Sequence, residues 1–594
     1  MAIRLSSSAP YNQIGSFVGD GYTSFRLWAP FAHQVAVEIE GIANELKKDD
    51  DGFWSFITED TNPIDYSFIL DKKKKIPDPA SRFQPAGIFG ASRTVVFPDD
   101  LNPGGYSNID LRNAVIYELH TGTFTPEGTF KGMVNRLDHL ESLGINAVEI
   151  MPIAQFEGRW NWGYDGVFPY AVHSEYGGPL QFLEFVKAAH ERRISVILDV
   201  VYNHLGPRGN IFPQVGPYFS PRYHTPWGDA LNFDGPMSPN VRNFFIQNAI
   251  YWLDRFDVDG LRLDAVHAIV DNSSCHFLEE LAVSVRNFFG DTGKKPILIA
   301  ESDMNDPKLI QPSTMNGYGL DAQWCDDFHH SLHAYVAGER DGYYMDYGEE
   351  QQIERSLRSG FVYQGQFSKF LKRYRGSRDF RYTLDQLIVF SQDHDQVGNR
   401  PLSDRPAAYM GLNKSLSLVF ITLLSPFTPM LFMGEEFQTK SPFWFFIDTD
   451  DIEYARIVDE GRKNEFSYFQ WVRDNQIRPS DPEAFYSSKI QWSEADTEAG
   501  REIQEAYRLL IRLRRTHAIG GTIPDFVRIQ NHILKVRYSS SLGKLEFAAN
   551  LSDQIGIWVL PADFSVVFKW NVSSSAGRYE LEPFGFIVAE KINE

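Results

Sequence analysis

Along the first hundred residues apolar and polar side chains alternate. Ser24-Phe-Arg-Leu-Trp-Ala-Pro30 and Val35-Ala-Val-Glu-Ile39 send every second side chain to one face, which is the period of a strand. Asp49-Asp-Asp-Gly52 interrupts these runs as a turn cluster. Residues 1–108 are therefore expected to form a β-sandwich, with the lysine run 72–75 as a solvated loop. From about residue 110 the pattern changes. Short apolar runs lie at 114–119, 147–151, 195–201, 260–266, 296–302, 320–324, 387–391 and 430–434. Helical spacing fills most gaps between them, at 130–143, 180–193, 241–256 and 277–289. In the third of these, Phe244, Phe245, Asn248, Trp252 and Leu253 recur on one face. Runs that alternate poorly are what strands covered on both sides require. Eight such runs predict a (β/α)8 TIM barrel over 109–517, with long loops after the third, sixth and eighth strands. A helical segment, 503–515, leads into 518–594, whose runs 533–538, 544–549 and 584–589 read as strands of a second β-sandwich. The fold class is thus α/β: a TIM barrel between an N-terminal and a C-terminal β-sandwich.

Composition narrows the function. The hydrophobic fraction of 43% supplies a large core and excludes global disorder. A net charge of −21 argues against nucleic acid or an anionic membrane as a partner, because both need basic patches. It leaves a neutral ligand open, and the 14% of aromatic residues suits either a large core or stacking against sugar rings. Cys275 and Cys325 are too few for a disulfide framework and lack metal-ligand spacing, so reduced thiols are expected. The apolar stretch 416–424 is interrupted by Ser417 and Thr422 and reads as a buried helix, not a membrane span. No long apolar segment of a secretory leader opens the sequence, and a cytoplasmic location is expected.

The chemistry lies at the ends of the strands. The third run ends in Asp199 and continues to Asn203-His204. The fourth reads Gly260-Leu-Arg262-Leu-Asp264, the fifth ends in Glu301, and the seventh is followed by Asp393-His394-Asp395-Gln396. In a TIM barrel these ends meet at one mouth, so four carboxylate-bearing segments converge there. Gathering like charges is costly, and paired carboxylates have a natural use in cleaving glycosides: one nucleophile and one acid. Arg262 and Asp264, two apart on a strand, share a face, which favours an ionised Asp264. Glu301 follows Ile299-Ala300, which suggests an apolar surround and a protonated acid.

Asp199…Asn203-His204, Gly260-Leu-Arg262-Leu-Asp264, Ala300-Glu301-Ser302 and His394-Asp395 match, in order, the four signature regions of the α-amylase superfamily, glycoside hydrolase family 13. The chain resembles that family. The resemblance implies Asp264 as nucleophile, Glu301 as general acid/base and Asp395 as transition-state stabiliser. It implies that Arg262, His204 and His394 contact the sugar before the scissile bond and that Tyr164 stacks there. Trp162-Gly-Tyr-Asp-Gly-Val167, Thr225-Pro-Trp-Gly-Asp-Ala-Leu-Asn-Phe-Asp-Gly235, Ala300-Glu-Ser-Asp-Met-Asn-Asp-Pro307, Asp326-Asp-Phe-His-His-Ser-Leu-His333 and His394-Asp-Gln-Val-Gly-Asn-Arg400 resemble a trehalose-releasing subgroup. That subgroup cleaves the α-1,4 bond beside the terminal trehalose of a maltooligosyltrehalose, and it is coupled in function to the synthase that makes this substrate. Asp327, Phe328 and His330, after the sixth strand, and Gln396 are further candidates for substrate contact. Asn203 matches a calcium position of many α-amylases, but the subgroup implies no metal or other cofactor. Neither His204 nor His394 lies in a metal-ligand motif. Asp393 departs from the subgroup, which has Asn there. Two rivals stay open: a glucan branching enzyme, which transfers to a second glucan, and a non-catalytic glucan-binding protein with a degenerate barrel. Starch debranching is a third hydrolytic option.

Overall fold

The computed structural model describes residues 10–19, 21–98, 108–378, 381–465, 476–575 and 578–592. Residues 1–9, on which the expectation about a leader rests, lie outside these. The N-terminal region is a pair of antiparallel sheets. One orders Gly15–Gly19, Tyr22–Trp28, Phe53–Thr58 and Lys47–Lys48; the other orders Ile42–Glu45, Val35–Ile39, Asp65–Leu70 and Lys74–Ile76, with Ser92–Arg93 beside Asp65–Leu70. The alternation read from the sequence puts Phe25, Val35 and Val37 between the sheets, where Tyr66 and Phe68 join them, each at most 1% exposed. The lysine run is not all loop: Lys74 and Lys75 pair with Leu70 and Ile69 as an exposed edge strand. Lysines on an edge also discourage pairing with another chain. The module is fastened to the barrel by Arg82. Its guanidinium lies 4.5 Å and 4.3 Å from the rings of Tyr170 and Tyr251 and donates to the carbonyls of Tyr11 and Ile14.

The eight apolar runs all become strands of one closed parallel barrel: β1 (Ile116–Leu119), β2 (Ala147–Ile150), β3 (Ser195–Val200), β4 (Gly260–Leu263), β5 (Ile297–Ala300), β6 (Ala322–Trp324), β7 (Leu387–Phe390) and β8 (Thr428–Phe432). The expected helices form as Gly178–Glu191, Ser238–Arg255 and Phe277–Phe289; the first, 130–143, is broken into Phe130–Val134 and Leu137–Leu143. Ile116, Ala147, Ile197, Ile299, Phe390 and Met430 belong to one buried cluster drawn from the strands. Side chains two residues further on point the same way. That parity carries Glu118, Glu149, Asp199, Arg262 and Glu301 into the barrel mouth.

The long helix Glu498–Thr516 closes the barrel region. The C-terminal strands follow, joined into one connected antiparallel sheet. Its long strand Arg578–Ile592 pairs with Gly543–Asn550 and Gly556–Val559, and also with Ser565–Ser575. Phe568, Trp570 and Phe586 from this sheet surround Phe420 of the helix Leu412–Leu423 at centroid distances of 5.3, 5.9 and 5.4 Å. That helix contains the interrupted apolar stretch, which is buried as expected. Among the described residues no helix is long and apolar enough to cross a membrane.

Candidate active site

The barrel ladder runs past the last residues of β4 and β5. Asp264 N–H donates to Val200 O at 3.1 Å, Glu301 N–H to Leu263 O at 3.1 Å, and Val266 N–H to Glu301 O at 3.0 Å. Backbone pairing alone therefore sets Asp264 and Glu301 side by side. Between them Ala265 takes a left-handed conformation, φ +39°, uncommon for a residue with a Cβ. This turn aims its N–H at Glu301 Oε2, 2.6 Å away.

Arg262 organises the mouth. Nη1 donates to Asp199 Oδ2 at 2.7 Å and to Asp264 Oδ1 at 2.9 Å, and Nη2 lies 3.1 Å from Glu301 Oε2. The guanidinium is fully buried, and it stands 4.4 Å from the ring centre of Trp324. One cation thus holds three carboxylates in a region where unpaired charge would be expensive. Burial pushes Asp199 up to about 7, against the opposing pull of Arg262. The expectation of an apolar surround for Glu301 is corrected: Glu301 shares the face of Ile299, but its carboxyl engages a guanidinium and a backbone amide.

Asn203 does not stand apart as a ligand. Its Nδ2 donates to Asp264 Oδ2 at 2.8 Å and to Asp264 O at 2.9 Å. His204 bonds Asn203 through Nδ1, and its Nε2 lies 3.0 Å from Tyr164 O. Trp227 lies stacked on the His204 ring at 5.4 Å and is 48% exposed, so it is not core. Tyr164 donates to Asp199 Oδ2 at 2.8 Å and meets His394 Nε2 at 2.9 Å. Gly163 places Tyr164: its φ is +109°, and a Cβ there would meet Pro152 O at 2.1 Å. Exposure differs among these side chains. The side chains of Asp395, Glu301 and Asp264 are 43%, 19% and 12% exposed, whereas Arg262 is inaccessible. Among the described residues no group of three or more His, Cys, Asp or Glu is arranged to hold a metal.

Beside Glu301 and Asp395 opens a cleft lined among others by Trp324, Asp326, His330, Tyr343, Arg375 and Gln396. Burial, then the charge of Glu301, pushes Asp326 up to about 8. His330 has no hydrogen-bond partner on Nδ1 among the described residues. Asp327 and Phe328 are corrected. Asp327 is fully buried: Oδ2 accepts from Asn305 Nδ2, Val362 N and Tyr363 N at 2.7, 2.6 and 2.8 Å, and Oδ1 lies 3.1 Å from Arg375. It fastens the excursion after β6 and cannot reach a ligand. Phe328 is fully buried and packs edge-on against Phe427 at 5.8 Å. Asp393 caps the short helix His394–Gly398 by accepting from Gln396 N at 2.6 Å. The sequence reading passed over Glu118 and Glu149, though each is a carboxylate inside an apolar run. It also passed over Arg375, which sits in a hairpin outside the barrel repeat, where no sequence signal marks it.

A closed (β/α)8 barrel with two aspartates and a glutamate gathered at its mouth around one buried guanidinium defines a glycoside hydrolase of the α-amylase class. A family model for the α-amylase catalytic domain matches residues 95–225. Malto-oligosyltrehalose trehalohydrolase of Saccharolobus solfataricus is 40% identical over 569 residues, spanning 95% of this chain and 97% of that protein. Malto-oligosyltrehalose trehalohydrolase of Arthrobacter ramosus is 45% identical over 502 residues, 83% of this chain and 87% of that one. The crystal structure of a putative α-amylase from Salmonella typhimurium superposes with a TM-score of 0.87 at 34% identity, covering 98% of this chain and 99% of that one. The chain belongs to the malto-oligosyltrehalose trehalohydrolase family.

Proposed function

We propose that the enzyme hydrolyses the α-1,4-glucosidic bond adjacent to the terminal trehalose of a maltooligosyltrehalose, releasing trehalose and a maltooligosaccharide. The observation that carries the chemistry is the shared guanidinium: Arg262 brings Asp264 and Glu301 to one point at the barrel mouth. Glu301 Oε2 already accepts from Ala265 N–H and faces Arg262. A proton on this carboxyl therefore belongs on Oε1. From there it passes to the glycosidic oxygen as the bond to the anomeric carbon breaks. Asp264 attacks that carbon, trehalose leaves with the proton, and the maltooligosyl unit stays on Asp264 as an ester. Glu301, now ionised, takes a proton from a water that attacks the same carbon, and configuration is retained. Asp395, the most exposed of the three, stabilises the oxocarbenium-like transition state.

Tyr164, His204 and His394 line the sugar on the glycosyl side; Arg262, which the resemblance also places against the sugar, is buried behind them and acts through Asp264 and Glu301. Asp199 and Asn203 orient Tyr164, Arg262 and Asp264. Gln396 and His330 face the leaving trehalose. The enzyme works in the cytoplasm on substrate supplied by a maltooligosyltrehalose synthase; free thiols at Cys275 and Cys325 fit a reducing compartment.

Incubation with maltotriosyltrehalose beside maltopentaose at equal concentration tests this. Rapid release of trehalose and maltotriose, with maltopentaose cut far more slowly, is expected. Equal cleavage of both would replace the proposal with a general α-glucanase, and longer transfer products would replace it with a branching activity.

A further inference from the structure

Glu118 lies in the middle of β1 and is 1% exposed. Its Oε1 is 2.5 Å from His394 Nδ1, and its Oε2 accepts from the His394 backbone N–H at 3.1 Å. One carboxylate grips both the ring and the main chain of the same residue. Across the ring, Nε2 meets Tyr164 Oη at 2.9 Å, and Asp395 Oδ1 lies 3.7 Å away. The Tyr164 ring itself stacks on His394 at 5.3 Å. Tyr164 has a single proton and gives it to Asp199. It can only accept from His394, so Nε2 carries a hydrogen. Nδ1, set against a carboxylate, carries the other. A ring with hydrogen on both nitrogens is an imidazolium.

We propose that Glu118 is a positioning residue for hydrolysis: it fixes the orientation of His394 and keeps the ring doubly protonated, so that Nε2–H is presented as a donor beside Asp395. The kinetic consequence rests on the hydrolytic function proposed above; the state of the ring is a property of the free protein. Burial opposes the cation, but Glu118 first, then Asp395, outweigh it and hold His394 up to about 10. The other charged or titratable groups facing the ring are Asp393 on its own turn, Glu149, Asp199, Tyr164 and His120. Asp395 still faces the ring when Glu118 is neutralised, so the change is partial.

The test uses the full-length enzyme with histidines labelled at ¹³Cε1, the His394 signal being the one lost in His394→Gln. In the wild type it is expected to keep the imidazolium shift to at least pH 9. In Glu118→Gln it titrates roughly 1–3 pH units lower. On maltotriosyltrehalose, kcat of Glu118→Gln falls about tenfold to a hundredfold with KM little changed. The loss deepens as pH rises through the new His394 value. Glu118→Asp keeps the charge with a shorter reach; it is expected to keep the high His394 value while lowering kcat, and it decides the question should the Gln variant not fold. An identical His394 titration with and without the carboxylate, or wild-type kcat and pH profile in Glu118→Gln, overturns the proposal. If the wild type fails to cleave maltotriosyltrehalose, the proposed substrate falls, and the titration still decides the role of Glu118.

Discussion

Nη1 of Arg262 lies 2.9 Å from Oδ1 of Asp264, two residues further along the same chain. The pair shares one face because β4 is extended through Leu263, and the same Nη1 of Arg262 also donates to Asp199 Oδ2 at 2.7 Å. Asp264 is thus held at one oxygen by a buried cation and at the other by Asn203, with little freedom to turn. In the nucleophile's role proposed for it, a carboxylate fixed in this way needs little reorganisation before attack.

Replacing Asp264 by Asn is expected to remove turnover while leaving the barrel folded. The side chain keeps its size and one acceptor oxygen for Arg262 but loses the nucleophilic carboxylate. A fall in kcat of about 10⁴-fold or more is expected, on the scale of losing a catalytic nucleophile or its partner. Product assay and circular dichroism on the same sample check it. Near-wild-type kcat would remove Asp264 from the nucleophile's role.

Asn203→Ala removes both hydrogen bonds to Asp264. Bonds to a charged group are worth about 1.5–3 kcal/mol, so kcat is expected to fall by roughly tenfold to a hundredfold, with KM moving far less. Steady-state kinetics on one trehalose-capped substrate checks this. Unchanged kcat would mean that Arg262 alone orients the nucleophile.

The fold was legible because buried parallel strands write themselves as apolar runs, and each of the eight runs became a strand. The break at Asn135-Arg136 in the first helix was not legible, since apolar spacing continues on both sides of it. Of the candidate site, the strand-end carboxylates were legible from position alone. Asp326 and Asp327 were not distinguishable: they are adjacent and alike in sequence, yet one lines the cleft and the other is buried against Arg375. Only the path of the excursion after β6 separates them. Glu118 carried a usable signal, a charge within a four-residue strand buried throughout, because such a charge needs a partner.

Gly163→Ala tests how Tyr164 is placed. The added Cβ would sit 2.1 Å from Pro152 O, and φ +109° is strained for any side chain. A cost of about 1–3 kcal/mol in stability is expected, seen as a lower midpoint in thermal unfolding. Because Tyr164 bridges Asp199 and His394, kcat falls as well. A variant as stable and active as the wild type would show that the loop relaxes without moving Tyr164.

Asp393→Asn separates a neutral cap from a charged one. Asp393 is 1% exposed, and burial, then Glu118, raises its pKa well above the ordinary carboxylate range. In the unfolded chain it titrates near its ordinary value of about 4. Between that pH and its folded value the native protein binds one more proton than the unfolded chain. Stability from this group is therefore complete below about pH 4 and is lost as pH rises through the folded value. Asn has the same shape and accepts the same Gln396 amide, but it has no proton to lose. The variant should match the wild type near pH 4 and gain on it as pH rises towards 8, by about 1.4 kcal/mol for each pH unit the wild-type group stays protonated. Thermal unfolding of both proteins at pH 4.5, 6 and 8 measures the difference. A difference that stays constant across this range would mean that Asp393 is ionised in the fold, paired by Gln396 N–H and the neighbouring His394.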